Sequence, residues 1–248
     1  MIEVRRREIV KYLAVAALAV GLTSCSSNVT GPPTPTVANL TGNYVFSIAG
    51  TDPNDGDYFV VGRFTADGKG AITNAVADYN LGSGIDAGVP LTGTYTVSGL
   101  LATVNLTDGG GTKDSFIAPL ITSGSAAIQS FDGTGSGTLY AQTTTGFSTA
   151  GTYNYTVKGE GQGTVTGSGQ FVVGSANTFT SGTLSYMDGA TLMNYSATSG
   201  FLYTPQSTGR GLAAVAGYNL AYYVVGPSQI LLIGLDERNL ILLNALKQ

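Results

Sequence analysis

The sequence predicts an all-β protein made of two tandem antiparallel up-and-down meanders of about eight strands each. Three observations carry that reading. From Leu40 onward, apolar and polar residues alternate over short runs, as in NYVFSIAG (43–50), VVGRFTADGKG (60–70) and LTGTYTVSG (91–99). Period two is the signature of a half-buried strand. Gly, Asp and Asn break these runs at roughly the 8–12-residue spacing of turns. The whole pattern then occurs twice.

The elements ahead of the strands are of a different kind. Residues 1–11, MIEVRRREIVK, carry Arg5, Arg6, Arg7 and Lys11, and residues 12–22, YLAVAALAVGL, are uncharged and mostly apolar. A basic start before a short apolar run is the pattern of an export signal, too short for an ordinary membrane-spanning helix. Leu22-Thr23-Ser24-Cys25 follows directly, and Cys25 is the single cysteine of the chain. This tetrapeptide resembles the lipobox of bacterial lipoproteins. The resemblance implies that the Cys25 thiol receives diacylglycerol, that residues 1–24 are removed, and that the new amino terminus is acylated. Several acyl chains on one residue make a stable anchor, each buried methylene contributing about 0.8 kcal/mol. The resemblance further implies an exported protein held in the cell envelope, at the outer membrane of a Gram-negative bacterium.

One cysteine in an exported chain leaves no intramolecular disulfide framework, so the body must hold itself together by packing. Residues 26–39, SSNVTGPPTPTVAN, have three prolines and no aromatic side chain. Such a segment reads as a flexible tether between Cys25 and the body, extending about 3.1 Å per residue where it is polyproline-like.

The body divides into a first unit at 40–146 and a second at 147–248. Strands are expected near 43–49, 57–65, 71–79, 90–97, 100–107, 114–121, 126–131 and 136–142. In the second unit they fall near 151–158, 163–173, 178–187, 190–197, 199–205, 210–217, 219–226 and 229–246, the last span holding a hairpin. TGNYVFSIAG (41–50) matches AGTYNYTVKG (150–159), and Gly62, Phe64, Ile72, Thr73 and Tyr79 lie over Gly169, Phe171, Phe179, Thr180 and Tyr186. AAIQSFD (126–132) lies over ILLIGLD (230–236), with Asp132 over Asp236 at a turn. Short connections favour sequential neighbours, and an eight-stranded meander can close on itself and remove its edges. A small closed barrel is therefore expected for each unit; a pair of β-sandwiches, or one continuous two-sheet body, is the alternative.

In plan each unit resembles a lipocalin- or avidin-like barrel. The duplicated FTADGKGAIT-type body behind a lipobox also resembles the secreted lipoproteins common in acidobacteria. Avidin-like proteins stack their ligand on tryptophan, and this chain has none, so biotin binding does not carry over.

Alternation assigns the faces. Placing Arg63 in water turns Tyr58, Val60, Gly62 and Phe64 inward, joined by Tyr44, Phe46 and Ile48, and by Leu91, Gly93, Tyr95 and Val97. Thr92, Thr94 and Thr96 then form a solvated face, too polar for a membrane-spanning barrel. Tyr44, Phe46, Tyr58, Phe64 and Tyr95 outline either a ligand site or a filled core. The closing span QILLIGLDERNLILLNALKQ (229–248) is apolar on both faces of its strands and is expected to pack against the first unit.

The chain has no histidine, which removes Ser-His-Asp and Cys-His catalysis, the usual zinc sites and histidine switches. Asp55, Asp57, Asp67, Asp108, Asp132 and Asp188 sit at turns, where aspartate has a conformational role. Asp78, Asp114 and Glu160 are the acids that turns do not explain. The loop TDPNDGD gathers Asp52, Asn54, Asp55 and Asp57, hard oxygen ligands of the kind calcium takes, although the spacing departs from the EF-hand loop. Removing residues 1–24 takes four basic and two acidic side chains from totals of 11 and 15, leaving a net charge of −6. No basic stripe meets phosphates, so nucleic acid is not an expected partner. The expected function is a lipid-anchored envelope protein with a structural or interaction role, without enzymatic activity and without a cofactor. The alternative is a carrier of a small apolar or glycan ligand, in a barrel mouth or in the groove between units.

Overall fold

The computed structural model describes residues 40–248 apart from 54–55, 82, 122–123, 161–163, 189, 216 and 237–239. The Cys25 site and the tether therefore lie outside the described residues. The described chain is built of β-strands and belongs to one compact unit.

Eight strands form a closed barrel: β1 (Thr41–Asp52), β2 (Gly56–Asp67), β3 (Ala71–Leu81), β4 (Gly84–Ser98), β5 (Leu101–Asp108), β6 (Lys113–Pro119), β7 (Ser125–Phe131) and β8 (Gly135–Ala141). Each pairs antiparallel with its chain neighbour, and β1 closes on β8. Nine strands follow: β9 (Gly151–Glu160), β10 (Thr164–Val173), β11 (Phe179–Asp188), β12 (Thr191–Ala197), β13 (Gly200–Leu202), β14 (Arg210–Val215), β15 (Tyr218–Gly226), β16 (Gln229–Gly234) and β17 (Leu240–Lys247). Here β9 closes on β17, and the ladder breaks between β12 and β13. The predicted meanders are both present. The second differs in closure because its counterpart of β4 is broken at Thr198-Ser199: among the described residues the ladder of β12 is with β11 alone and that of β13 with β14. One bridge spans the break, Thr178 to Phe201, at the place where Ala71 pairs with Thr94 in the first barrel.

The internal repeat reappears as repeated contacts. Tyr44 lies directly opposite Phe64 with its ring stacked at 5.3 Å, and Tyr153 lies opposite Phe171 at 4.6 Å. One pair further along, Phe46 faces Gly62 and Tyr155 faces Gly169. A methyl on either glycine would overlap the aromatic side chain laid across it. Asp132 accepts the Ser115 N–H at 2.8 Å, and Asp236 accepts the Asn219 N–H at 2.7 Å. Both pairs keep the 104-residue offset read from the sequence.

Each barrel has its own apolar interior, and a third cluster lies between them. Val45, Phe59 and Val61 on the outside of β1 and β2 meet Ala221, Tyr223 and Val225 of β15 and Leu231 and Ile233 of β16. This explains why those strands are apolar on both faces. It also corrects the placement of Arg63, which is only 3% exposed. Arg63 does point outward from its barrel, but the outer face of β1–β3 is where the second barrel packs. The apolar end of the chain packs against the first unit as expected. The pair buried most completely on both faces is β15–β16, whereas Leu246 of β17 stays exposed.

Tyr44→Ala and Tyr153→Ala each remove a ring from the same place in the repeat. Each is predicted to cost about 3–5 kcal/mol, read as a lower urea midpoint at unchanged slope.

Candidate functional site

The five aromatic positions singled out in the first unit converge in one interior. Phe46, Phe64 and Phe116, from β1, β2 and β6, meet with centroids 5.5–6.2 Å apart. Tyr58 packs on Phe131 at 6.0 Å, and its hydroxyl pairs with Thr134 Oγ1 at 2.9 Å. The Tyr95 hydroxyl donates to the Leu40 carbonyl at 2.8 Å. Burial raises the pKa of Tyr44, Tyr58 and Tyr95 above the ordinary tyrosine value. Tyr44, Phe46 and Phe64 pack ring on ring, Phe116 and Phe131 fill in beside them, and the hydroxyls of Tyr44, Tyr58 and Tyr95 are satisfied within the chain, which is the geometry of a packed core.

Of the acidic loop, Asp52 and Asp57 are described, and the Thr51 hydroxyl donates to Asp57. Asn54 and Asp55 lie outside the described residues. Among the described residues, no cluster of three or more His, Cys, Asp or Glu side chains could hold a metal ion.

The most concentrated polar chemistry lies between the barrels. Asp78, on β3, has no solvent exposure and accepts four hydrogen bonds. Arg210 of β14 donates twice, Nε to Oδ2 at 2.8 Å and Nη2 to Oδ1 at 2.6 Å. The Tyr223 hydroxyl of β15 donates at 2.5 Å and the Gly88 N–H of β4 at 2.6 Å. A forked guanidinium on a carboxylate is the strongest common form of such a pair. The Asp78 carboxylate raises the Arg210 pKa above its already high ordinary value, and burial with the adjacent carboxylate pushes that of the Tyr223 hydroxyl well up. Nearby, Asn80 Nδ2 donates to the Gly234 carbonyl at 2.9 Å, and Gln142 Nε2 to the Val224 carbonyl at 2.7 Å. Arg63 donates to the Asn74 carbonyl, Asn43 Oδ1 and Thr65 Oγ1.

Asp78 is thus an acid that turns do not explain, but its two oxygens are saturated and sealed from any substrate. Asp114 accepts the Tyr79 hydroxyl at 2.5 Å, and the Glu160 side chain lies outside the described residues. Sequence reasoning missed Arg210. The available signal was scarcity: it is the only basic residue between Lys158 and Arg238.

An apolar patch lies on the outer wall of the second barrel. Phe201 and Tyr203 are 45% and 52% exposed with rings 5.9 Å apart, and Leu212 is exposed beside them. The Tyr203 N–H donates to the Leu212 carbonyl at 3.0 Å. Alternation puts the intervening Leu202 fully inside.

No family model and no curated protein matches the chain. Among solved structures, it is similar to kievitone hydratase from Nectria haematococca at 8% identity and a TM-score of 0.24, covering 91% of this chain and 96% of that one. It is also similar to a protein of Nitrosomonas europaea described as an AttH, at 6% identity and a TM-score of 0.27, covering 84% and 93%. Neither likeness bears on what this chain does.

Asp78→Ala leaves the Arg210 guanidinium buried without its counter-charge and is predicted to cost about 3–5 kcal/mol. Calorimetry should then separate one cooperative transition into two, and Asp78→Leu with Arg210→Leu should recover much of the loss. A second expectation concerns alkali. Burial pushes the Tyr155 hydroxyl up to about 12 from 10.0, and raises Tyr153 and Tyr222 as well. Below pH 10 these groups are neutral in both states and their contribution is fully present. Between pH 10 and 12 they ionise only in the unfolded chain, so stability falls as pH rises. Urea midpoints should drop across that window, with tyrosinate absorbance appearing together with unfolding.

Proposed function

We propose that the chain is a lipid-anchored protein of the bacterial cell envelope, at the outer membrane. Its two-barrel body serves a structural or interaction role without catalysis. The observation that carries the interaction reading is the contrast between the first barrel's interior and the second barrel's wall. Inside the first barrel, the chain's own rings meet across the lumen. On the outer wall of the second, Phe201, Tyr203 and Leu212 present an aromatic surface to solvent. Exposed apolar patches of this kind mark sites of association. The anchor rests on the basic start, the apolar run and Leu22-Thr23-Ser24-Cys25.

A carrier of a small apolar or glycan ligand is the second reading. It is favoured by the break in the ladder between β12 and β13.

Labelled palmitate should enter the wild type and not Cys25→Ser, and the variant should leave the membrane fraction or stay uncleaved. Equal labelling of both would remove the anchor. Replacing Phe201 and Tyr203 by serine should change stability by no more than about 0.5 kcal/mol while abolishing co-purification of an envelope component. Retained co-purification would dismiss the patch.

A further inference from the structure

We infer that the outer edge of β12 is a pairing edge for a second copy of this chain, joined antiparallel about a two-fold axis at Asn194. The inference depends neither on the lipid anchor nor on the aromatic patch. It begins from a difference between the two barrels at one equivalent place.

In the first barrel, among the described residues, the opening half of β4 pairs with β3 alone, because β5 takes only Leu91–Ser98. That half-edge is defended. It carries exposed Asp86 and Pro90, Gly88 at φ +63°, and a register shift against β3 between Ala77 and Tyr79. Charge, proline and bulges are the devices by which proteins prevent edge-to-edge association.

The counterpart β12 has none of them. Its residues, TLMNYSA, include no charge, proline or glycine. Its ladder with β11 runs unshifted from Gly182–Ala197 to Asp188–Thr191. It ends the sheet, so among the described residues its second edge pairs with no strand. An unguarded edge of seven residues presents a row of backbone donors and acceptors to a matching strand.

The composition of β12 selects a copy of itself as that strand. Antiparallel pairing centred on Asn194 puts Asn194 opposite Asn194 and Leu192 opposite Ser196. Ser185 Oγ donates to Asn194 Oδ1 at 2.7 Å; the Asn194 amide nitrogen can then donate across the axis while Oδ1 accepts in return. Leu192, 61% exposed, gains cover. Charge agrees. The segment 179–197 holds one charged residue, Asp188, and the antiparallel arrangement puts the two Asp188 positions at opposite ends. An acidic protein thus meets its copy along a neutral edge, and a closed two-fold pair uses up both edges.

The test uses the full chain in detergent. Light scattering should give twice the chain mass for the wild type and half that value for Leu192→Lys with Ser196→Lys, which sets lysines opposite lysines. Mixing this variant with Leu192→Glu, Ser196→Glu should restore the doubled mass. With Cys25 replaced by serine, Asn194→Cys should oxidise to a covalent dimer, because directly opposite residues hold their Cβ atoms about 4.5–5.5 Å apart. Ser185→Cys, one strand further from the axis, should not. A monomeric wild type, no rescue on mixing, or a cross-link from position 194 to a different protein would each overturn the inference.

Discussion

The architecture depends on one buried carboxylate. Asp78 sits where two barrel walls meet, with both oxygens filled by the forked Arg210 guanidinium, the Tyr223 hydroxyl and the Gly88 amide. Apolar packing between Val45, Phe59 and Val61 on one side and Tyr223, Leu231 and Ile233 on the other drives association, but it has little directional content. The ion pair supplies direction. A buried charge without its partner is strongly destabilising, so sliding one wall over the other by a single residue pair carries a penalty that greasy contact alone does not impose. Tyr223 joins both roles: its ring lies in the apolar cluster and its hydroxyl on the carboxylate.

Duplication accounts for much of the rest. The Tyr–Phe stack, the aromatic laid over a glycine and the aspartate that holds a neighbouring strand's N–H all recur. These are the parts of a barrel that must work in any copy. The copies diverge where each meets something other than itself. In the first, β4 runs unbroken and its neighbour β3 supplies Asp78; in the second, the corresponding strand is broken and Arg210 supplies the other half of the clamp.

Strand order and inward faces were legible because period two survives in a single sequence. Tyr44, Phe46, Tyr58, Phe64 and Tyr95 all lie inside, as their spacing requires. Even the second unit's extra strand was visible, as the hairpin within 229–246. What a single chain does not reveal by alternation is which outward face receives a neighbour. Arg63 shows this: its direction follows from spacing, but its burial follows from a wall contributed by residues more than 150 positions later. Asp78 and Arg210 are 132 residues apart, and neither lies in a motif. The ligand-site and core readings of the five aromatics also share one sequence signature, and ring-to-ring contact across the lumen is a three-dimensional fact.

The outer faces of β9 and β10 occupy the same place in the second barrel as the buried wall of β1 and β2 in the first. Where the first has Val45, Ala49, Phe59 and Val61, the second has Asn154, Lys158, Thr166 and Ser168, all exposed. The tandem therefore has a polarity, with a plug on one barrel, a socket on the other, and no second plug. A third barrel added after the second would find only a hydrated surface, so stacking wall on wall stops at two. The two units repeat one plan, and the polar wall of the second makes them a finite object in place of the first links of a fibre.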